Sequence, residues 1–362
     1  MNKLFTSADI GPLTLPNRLV RSATAERMAD ADGGPRPQLE QLYRELAQGG
    51  VGLIITGHMY VHPAGKAHPE MTGIYSDDLT ARLAGLADAI HQEGGRVVVQ
   101  INHGGMQCDR RAVSESMAPS AADFPFLKQP AREMTPDEIA VVIRAFGQAA
   151  RRARDAGFDG VQIHAAHGYL ISQFLSPFVN RRTDEWGGDL AGRMRFLRAV
   201  CRAVREQVGP DYPMLIKFGM MDALEGGLSP EEGGRVTAAM KGMGLDAVEI
   251  SGGIGGEKNL NTPVGIRCEE DEAYFRPLVQ RARAETDLPL ISVGGFRSRR
   301  VMEDVLAAGE ADFISICRPL ICEPDFPNRL RAGLQERSAC ISANRCWADE
   351  MDEGIACKCS IE

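Results

Sequence analysis

The sequence lacks any apolar run long enough to cross a membrane, although hydrophobic residues make up 44% of its 362 positions. Its first residues, MNKLFTS, lack the apolar core and the small-residue cleavage site of an export signal, so we expect a cytoplasmic protein. No block of Lys and Arg stands apart from the helical patterns, and the formal net charge is -8. These absences argue against nucleic acid or a membrane as a partner and favour small molecules.

The cysteine pattern is not that of a disulfide framework. Nine cysteines are an odd number, and they are spread over a long chain without paired spacing, which predicts reduced thiols. Four of them, Cys340, Cys346, Cys357 and Cys359, lie in a C-terminal tail. Their spacing differs from Cys-x-x-Cys pairs, so we favour free thiols and leave open a bound metal. The sequence also leaves open whether the chain forms a homo-oligomer.

Strand and helix patterns alternate along the whole chain, with no linker rich in Pro, Gly or Ser. Apolar runs bounded by turn residues predict eight strands at 18–21, 52–56, 96–101, 160–163, 213–218, 246–250, 289–293 and 312–316. Helical spacing occurs at 37–48, 77–93, 135–156, 192–208, 230–243, 272–285 and 298–308. This alternation predicts an α/β protein with a (β/α)8 TIM barrel at 1–337 and a Cys-containing tail at 338–362. A doubly wound open sheet is the alternative.

The residues at the ends of the predicted strands are almost all polar or glycine, which predicts a ligand site at the carboxyl ends of the barrel strands. In chain order they are Ser22-Ala23-Thr24, Gly57-His58, Gln100, His164, Lys217, Ser251-Gly252-Gly253, Gly294-Gly295 and Cys317-Arg318. The last three groups combine backbone N–H groups with a guanidinium and favour a phosphate there. Gln100 and Lys217 are suited to the polar edge of a planar heterocycle, although Lys217 can also be a barrel lysine paired with an acid.

His164, His167 and Tyr169 fall within six residues of one predicted strand end. Any one of them alone is more often a structural residue, but together they indicate a site that grips a substrate oxygen. His-x-x-His without a nearby carboxylate or thiol offers too few ligands for zinc, so we predict no metal here. A phosphate, a polar heterocycle and this His/His/Tyr group together suggest flavin mononucleotide (FMN) with a substrate stacked on its ring.

The motifs of this sequence resemble those of the old yellow enzyme family of flavin-dependent ene-reductases. The resemblance runs from about residue 4 to 327 and rests on Asn17-Arg18, Gln100 before Ile101-Asn102-His103, the 164–169 unit, Asn180, Arg182, Thr183, Asp184, Gly187, Gly188, Arg193, Gly294-Gly295 and Cys317-Arg318-Pro319-Leu320. It implies a barrel that holds FMN without a covalent bond. NADH or NADPH would reduce the flavin, and an activated alkene would then oxidise it.

The resemblance also implies a role for each candidate residue. Ala23, Thr24 and Ala25, with Gly57 or His58, would line the flavin; Gln100 would hold its pyrimidine edge, Lys217 would lie near N1 and the O2 carbonyl, and Gly294, Gly295, Cys317 and Arg318 would cradle the phosphate, where the strand-end pattern also places Ser251. His164 and His167 would bind the substrate carbonyl or nitro oxygen, and Tyr169 would protonate the α carbon. Asn180, Arg182, Asp184 and Arg193 would fix the loop by ion pairs.

The sequence departs from the family pattern at two places. Ala25 occupies the position where many members have Thr or Cys near the flavin C4 carbonyl, and Ala343 stands where larger relatives have the second cysteine of an iron–sulfur cluster. We therefore do not expect a cluster in the tail. Two other functions stay open: an amine demethylase or dehydrogenase, and a flavin-binding redox sensor whose tail cysteines respond to oxidation.

Overall fold

The computed structural model describes residues 3–255, 260–347 and 354–359. Its centre is a barrel of eight parallel strands. They are β1 (Leu19–Arg21), β2 (Leu53–Ile55), β3 (Val97–Asn102), β4 (Gly160–Ala165), β5 (Met214–Gly219), β6 (Ala247–Ser251), β7 (Leu290–Val293) and β8 (Phe313–Ile316). Each predicted strand is present, with its ends moved by at most two residues.

The barrel is closed by the pairing of its first and last strands. Leu19 of β1 pairs with Ile314 of β8, while Val20 of β1 pairs with Leu53 of β2. Because β1 has a neighbour on both sides, the sheet has no free edge. The predicted (β/α)8 barrel is confirmed, and the alternative of an open doubly wound sheet is wrong.

A helix on the outside follows each of the eight strands; the first seven helices connect successive strands, and the last comes after β8. They are α1 (Pro37–Gln48), α2 (Thr80–Gln92), α3 (Pro136–Asp155), α4 (Arg195–Val208), α5 (Pro230–Ala239), α6 (Arg276–Glu285), α7 (Arg299–Ala307) and α8 (Phe326–Arg331). Two of them begin as their sequences indicate. The Thr135 hydroxyl accepts a hydrogen bond from the Glu138 backbone N–H in a capping box, and the Ser229 hydroxyl accepts one from Glu232.

A short antiparallel hairpin, Ala8–Ile10 with Leu13–Leu15, was not predicted. Ile10 and Leu15 are fully buried in a cluster with Val20, Leu53 and Phe313. These three barrel residues are the first or second of their strands, so the hairpin covers the amino end of the barrel. A ligand therefore reaches the interior from the carboxyl end.

The long connections on the carboxyl side contain short elements that the sequence patterns did not predict. Strands Ser116–Ala118 and Ala131–Glu133 pair in the connection after β3, and helices Leu170–Leu175 and Leu190–Arg193 lie in the connection after β4. Within the described residues, no helix has both the length and the apolar character that a membrane crossing requires.

Candidate functional site

A cavity of about 480 Å³ opens at the carboxyl ends of the barrel strands. Each of the eight strands contributes at least one lining residue from its second half or from the segment just after it, from Ser22 after β1 to Cys317 after β8. Its volume lies within the range of roughly 300–1,000 Å³ that is typical of ligand and cofactor sites. The described residues thus place their main cavity where barrel proteins perform chemistry.

The structure brings nearly all the predicted site residues to this cavity. Those that line it are Ala23, Thr24, Ala25, His58, Gln100, His164, His167, Tyr169, Lys217, Ser251, Gly295, Cys317 and Arg318. Gly57 and Gly294 do not line it. The backbone N–H of Gly57 donates to a Glu26 carboxylate oxygen (2.9 Å), and the Gly294 carbonyl accepts from the Tyr274 N–H (3.2 Å).

His164, His167 and Tyr169 form one group because the chain turns sharply after β4. Backbone φ angles of +60° at His167 and +73° at Gly168 reverse the chain, and a Cβ at residue 168 would lie 2.5 Å from the Ile254 carbonyl oxygen. The ring of His164 is centred 5.3 Å from that of His167 and 4.8 Å from that of Tyr169. The turn therefore aims two imidazoles and a phenol into the same space.

The two imidazoles are neutral at physiological pH. Burial, with smaller contributions from neighbouring His and Lys charges, lowers the pKa of His164 well below its usual range. Burial and the nearby Lys217 ammonium lower the pKa of His167 to about 3. Each ring then carries one N–H, so the pair can donate hydrogen bonds to a substrate oxygen without positive charge.

Tyr169 stays protonated throughout the physiological pH range. Burial raises the pKa of its phenol to about 12. Its ring is centred 5.0 Å from that of His58, a third imidazole at the cavity. The group can therefore supply a proton from a fixed position on the wall of the cavity.

Lys217 is both paired and available to a ligand. Its ammonium donates to a Glu249 carboxylate oxygen (3.0 Å) and to the Ser22 hydroxyl (2.7 Å), yet the residue lines the cavity. The buried ion pair agrees with the prediction of a barrel lysine paired with an acid. The location at the cavity agrees with the prediction of a contact with the polar edge of a planar heterocycle. Gln100, on β3, lines the same side of the barrel interior and contacts Gln162 on β4.

Two arginines, Arg297 and Arg318, also line the cavity. Arg318 donates to the Pro263 carbonyl (2.7 Å) and to the Asn344 side-chain oxygen (2.8 Å), while the Cys317 sulfur lies 2.8 Å from the Thr24 hydroxyl oxygen. These contacts hold the guanidinium at the cavity wall. A fixed guanidinium at this position is suited to an anionic group such as a phosphate.

The sequence analysis missed Arg297, a second buried arginine in the cavity wall. Its guanidinium donates to the carbonyls of Ile266 (2.6 Å) and Ser338 (3.0 Å), and its Nε is buried with no hydrogen-bond partner among the described residues. Burial, followed by the neighbouring Arg337 charge, lowers its pKa. The only sequence signal was its position two residues after Gly294-Gly295.

The loop signature is structural, as predicted. Arg182 pairs with Asp184 (2.5 Å), Arg193 pairs with Glu232 (2.5 Å), and the Asn180 amide donates to the Phe174 carbonyl (2.8 Å). The Arg182 hydrogen bond holds the pKa of Asp184 below its usual range. This network fixes the connection that follows the His/His/Tyr turn.

The tail contributes to the cavity, which its sequence did not indicate. Ser342 lines the cavity, and Asn344 binds Arg318. Five cysteines, Cys322, Cys340, Cys346, Cys357 and Cys359, line a second, small cavity on the other side of Arg318, and all of them are free thiols. In the described part of the chain, no three His, Cys, Asp or Glu side chains are arranged to hold a metal ion.

Comparison with known proteins agrees with this geometry. The model of the NADH:flavin oxidoreductase / NADH oxidase family matches residues 3–337. The chain belongs to this family. It is 35% identical to the NADH oxidase of Thermoanaerobacter brockii over 99% of its own length but only 55% of that protein's. It is 34% identical to the NADPH dehydrogenase of Halalkalibacterium halodurans, over 90% of this chain and 93% of that protein.

A solved structure shows the same fold. The old yellow enzyme homologue from Zymomonas mobilis superposes with a TM-score of 0.81 and 26% identity, covering 93% of this chain and 94% of the other. The predicted membership of the old yellow enzyme family is confirmed. The chain spans about half the length of the Thermoanaerobacter protein and nearly the whole length of the Halalkalibacterium and Zymomonas proteins.

The cavity residues fit FMN. Its lining offers Gln100 and Lys217 to a polar ring edge, and Arg318 and the buried, unpartnered Nε of Arg297 to a phosphate. A flavin ring needs hydrogen-bonding partners of the first kind, and its phosphate needs partners of the second.

Proposed function

We propose that this oxidoreductase reduces the C=C bond of α,β-unsaturated carbonyl compounds or related activated alkenes. The observation that carries the proposal is the convergence of two neutral imidazoles and a protonated phenol in the cavity. FMN, held by Gln100 and Lys217 at its ring and by Arg318 and Arg297 at its phosphate, would supply the hydride for this reduction after it has been reduced by NADH or NADPH.

His164 and His167 bind the carbonyl or nitro oxygen of the substrate. Donation of two hydrogen bonds draws electron density away from the double bond and stabilises the negative charge that develops on this oxygen. The His167 ring is held by the Ser251 hydroxyl, 2.7 Å from its Nε2. A fixed donor loses less free energy to reorganisation than a mobile one, so this contact supports the role of His167.

Tyr169 donates the proton that completes the reduction at the α carbon. Its raised pKa keeps the phenol protonated in the resting enzyme, and solvent reprotonates it between turnovers. The imidazole of His58, against which the phenol packs, is neutral because burial lowers its pKa to about 3. The proton therefore resides on the phenol rather than on the neighbouring ring.

The remaining candidate residues hold the cofactor in this proposal. Ala23, Thr24, Ala25 and His58 flank the flavin; Gln100 and Lys217 bind its pyrimidine edge; and Ser251, Gly295, Cys317 and Arg318, joined by Arg297, surround the phosphate, while Gly57 and Gly294 lie outside the cavity lining. Ala25 offers no hydroxyl or thiol to the flavin C4 carbonyl, so this atom is bound differently from that in relatives with Thr or Cys.

Oxidation of an amine is disfavoured by the same residues. A cationic amine is best recognised by aromatic faces, whereas the nearest groups here are hydrogen-bond donors suited to an oxygen. A redox sensor would use the tail cysteines, which lie on the far side of Arg318 from the main cavity.

An anaerobic visible-absorbance experiment tests the proposal. NADH or NADPH should bleach the flavin band of the purified protein, and 2-cyclohexenone should then restore it. A band that bleaches and is not restored by the enone, or by a nitroalkene, would overturn alkene reduction. Absence of a flavin band after incubation with FMN would overturn the assignment of the cavity.

A further inference from the structure

Glu249 is a buried acid at the centre of the barrel that does not line the cavity. It lies on β6 with no exposed surface. One carboxylate oxygen accepts hydrogen bonds from Ser22 (2.7 Å), Ser315 (2.9 Å) and Lys217 (3.0 Å). The other accepts from the Gln162 amide (3.0 Å). Four donors therefore converge on one carboxylate.

This carboxylate is ionised. Burial alone would raise the pKa of Glu249, but the Lys217 charge and the hydrogen bonds from Ser22 and Gln162 outweigh burial and hold it below its usual value. An ionised carboxylate only accepts hydrogen bonds. Every neighbour must therefore turn a donor toward it.

This requirement fixes the orientation of two amides in succession. Gln162 turns its NH2 group to Glu249, which leaves its oxygen facing β3. The Gln100 NH2 group donates to that oxygen (2.6 Å), so the Gln100 oxygen is directed elsewhere. No described residue donates to this oxygen, and Gln100 lines the cavity. Through Gln162, Glu249 thus leaves the Gln100 oxygen as a hydrogen-bond acceptor at the cavity wall.

The Glu249 carboxylate also leaves Lys217 with one N–H that can donate to a ligand, beside the Gln100 oxygen. An ammonium group has three N–H bonds, and Lys217 uses two of them for Glu249 and Ser22. The third is available to a ligand at the cavity, which Lys217 lines.

We propose that Glu249 is a positioning residue that sets the hydrogen-bond polarity of the flavin site: through Gln162 it presents the Gln100 oxygen as an acceptor, and it holds the Lys217 ammonium as the adjacent donor. This edge is complementary to an imide, in which an N–H lies next to a carbonyl. The pyrimidine part of FMN carries this pattern at N3–H and the C2 carbonyl. The inference rests on the proposed placement of the flavin ring.

Two variants separate the two effects of Glu249. In Glu249→Gln, the amide no longer dictates the orientation of Gln162 and the negative charge beside Lys217 is lost. We expect the dissociation constant for FMN to rise at least tenfold and the two-electron midpoint potential to become more positive. In Gln162→Met, the amide relay is broken while the ion pair remains. We expect a comparable rise in the FMN dissociation constant with little change in potential.

The matched control is Ser292→Ala, which removes another fully buried polar atom from the barrel, one with no hydrogen-bond partner among the described residues. It should leave both quantities at wild-type values. Glu249→Asp keeps the charge and should recover part of the FMN affinity. Wild-type FMN affinity in both Glu249→Gln and Gln162→Met, or an equal loss in Ser292→Ala, would refute the relay.

The outcome is distinguishable from failure of the proposed function. If the wild type binds FMN and turns over the enone while the variants keep its affinity and potential, only the role of Glu249 is wrong. If either buried variant is insoluble, the other carries the test, with far-ultraviolet circular dichroism of the apoprotein as the check of folding.

Discussion

The Nε2 atom of His167 lies 2.7 Å from the Ser251 hydroxyl oxygen, although His167 follows β4 and Ser251 ends β6, two strands that β5 separates in the barrel. The sequence analysis placed Ser251 at the phosphate and His167 at the substrate. The contact places Ser251 next to a residue that we propose binds the substrate. A role of Ser251 at the phosphate and a role in holding His167 therefore predict different results for the same variant.

Ser251→Ala should weaken the binding of a phenolic ligand such as 4-hydroxybenzaldehyde. Loss of one hydrogen bond costs about 0.5–1.5 kcal/mol, or roughly two- to twelvefold in affinity. Titration of the flavin absorbance measures this change. An unchanged ligand affinity together with weaker FMN binding would instead return Ser251 to the phosphate.

Tyr169→Phe should slow alkene reduction by roughly 10²- to 10⁴-fold, because it removes the proton donor. Reduction of the flavin by NADH or NADPH needs no proton from this phenol and should stay within about twofold of wild type, a small barrier change by the usual rate arithmetic. Stopped-flow absorbance resolves the two half-reactions. An equal loss in both would contradict the role of Tyr169 as the acid.

The rate of alkene reduction should be independent of pH between about 5 and 9. The pKa of His167 is lowered to about 3 and that of Tyr169 is raised to about 12, so the imidazole stays neutral and the phenol stays protonated over this range. Flavin reoxidation measured across the range tests this. A rate that changes with pH around a midpoint near 6.5 would show that a histidine carries charge during the reaction.

Arg297→Met should weaken FMN binding by roughly 10- to 100-fold, the value of a charge-assisted hydrogen bond, while riboflavin binding stays near that of wild type. The two ligands differ only in the phosphate. Arg300→Met is the matched control, since Arg300 is exposed and pairs with Glu269. Equal weakening of both ligands would mean that Arg297 supports the fold rather than the phosphate.

His103→Gln should reduce the loss of stability at acidic pH. Burial, and to a smaller extent His62, lowers the pKa of His103 to about 3, while the unfolded chain titrates near 6.5. Between these values the unfolded state binds more protons, so the free energy of unfolding falls as the pH falls from 6.5 toward 3. From pH 7 to 5 this one residue accounts for about 2 kcal/mol.

The substitution suits this comparison. Glutamine keeps an acceptor for the Gly105 N–H that His103 now binds (3.1 Å) but does not titrate. Denaturant unfolding with excess FMN at both pH values gives the difference. Identical pH dependence in the variant and the wild type would show that His103 is not held neutral.

The barrel could be predicted from the sequence because each strand is a continuous apolar run between turn residues, and each end carries a polar group. His164, Gln100 and Lys217 reach one cavity for this reason. The hairpin escaped prediction because strands of three residues are too short to show a period. Leu170–Leu175 was missed because its apolar residues are buried on all sides and show no polar face.

Arg297, Ser342 and Asn344 could not be assigned to the site from their neighbours in sequence. Arg297 and Ser342 line the cavity and Asn344 binds Arg318, and only the folded chain creates these contacts. The partner of Lys217 is another example. An acid was anticipated, but its identity as Glu249 depends on the pairing of β5 with β6.

The hairpin at the amino end of the barrel also constrains the order in which the chain folds. The hydrophobic cluster that contains Ile10 and Leu15 also includes Phe313 of β8. The Arg18 guanidinium donates a hydrogen bond to the carbonyl of Asp312, which lies 294 positions later in the chain. A ribosome releases the hairpin long before these partners exist. The hairpin therefore cannot complete its packing against Phe313 until the last barrel strand has been synthesised.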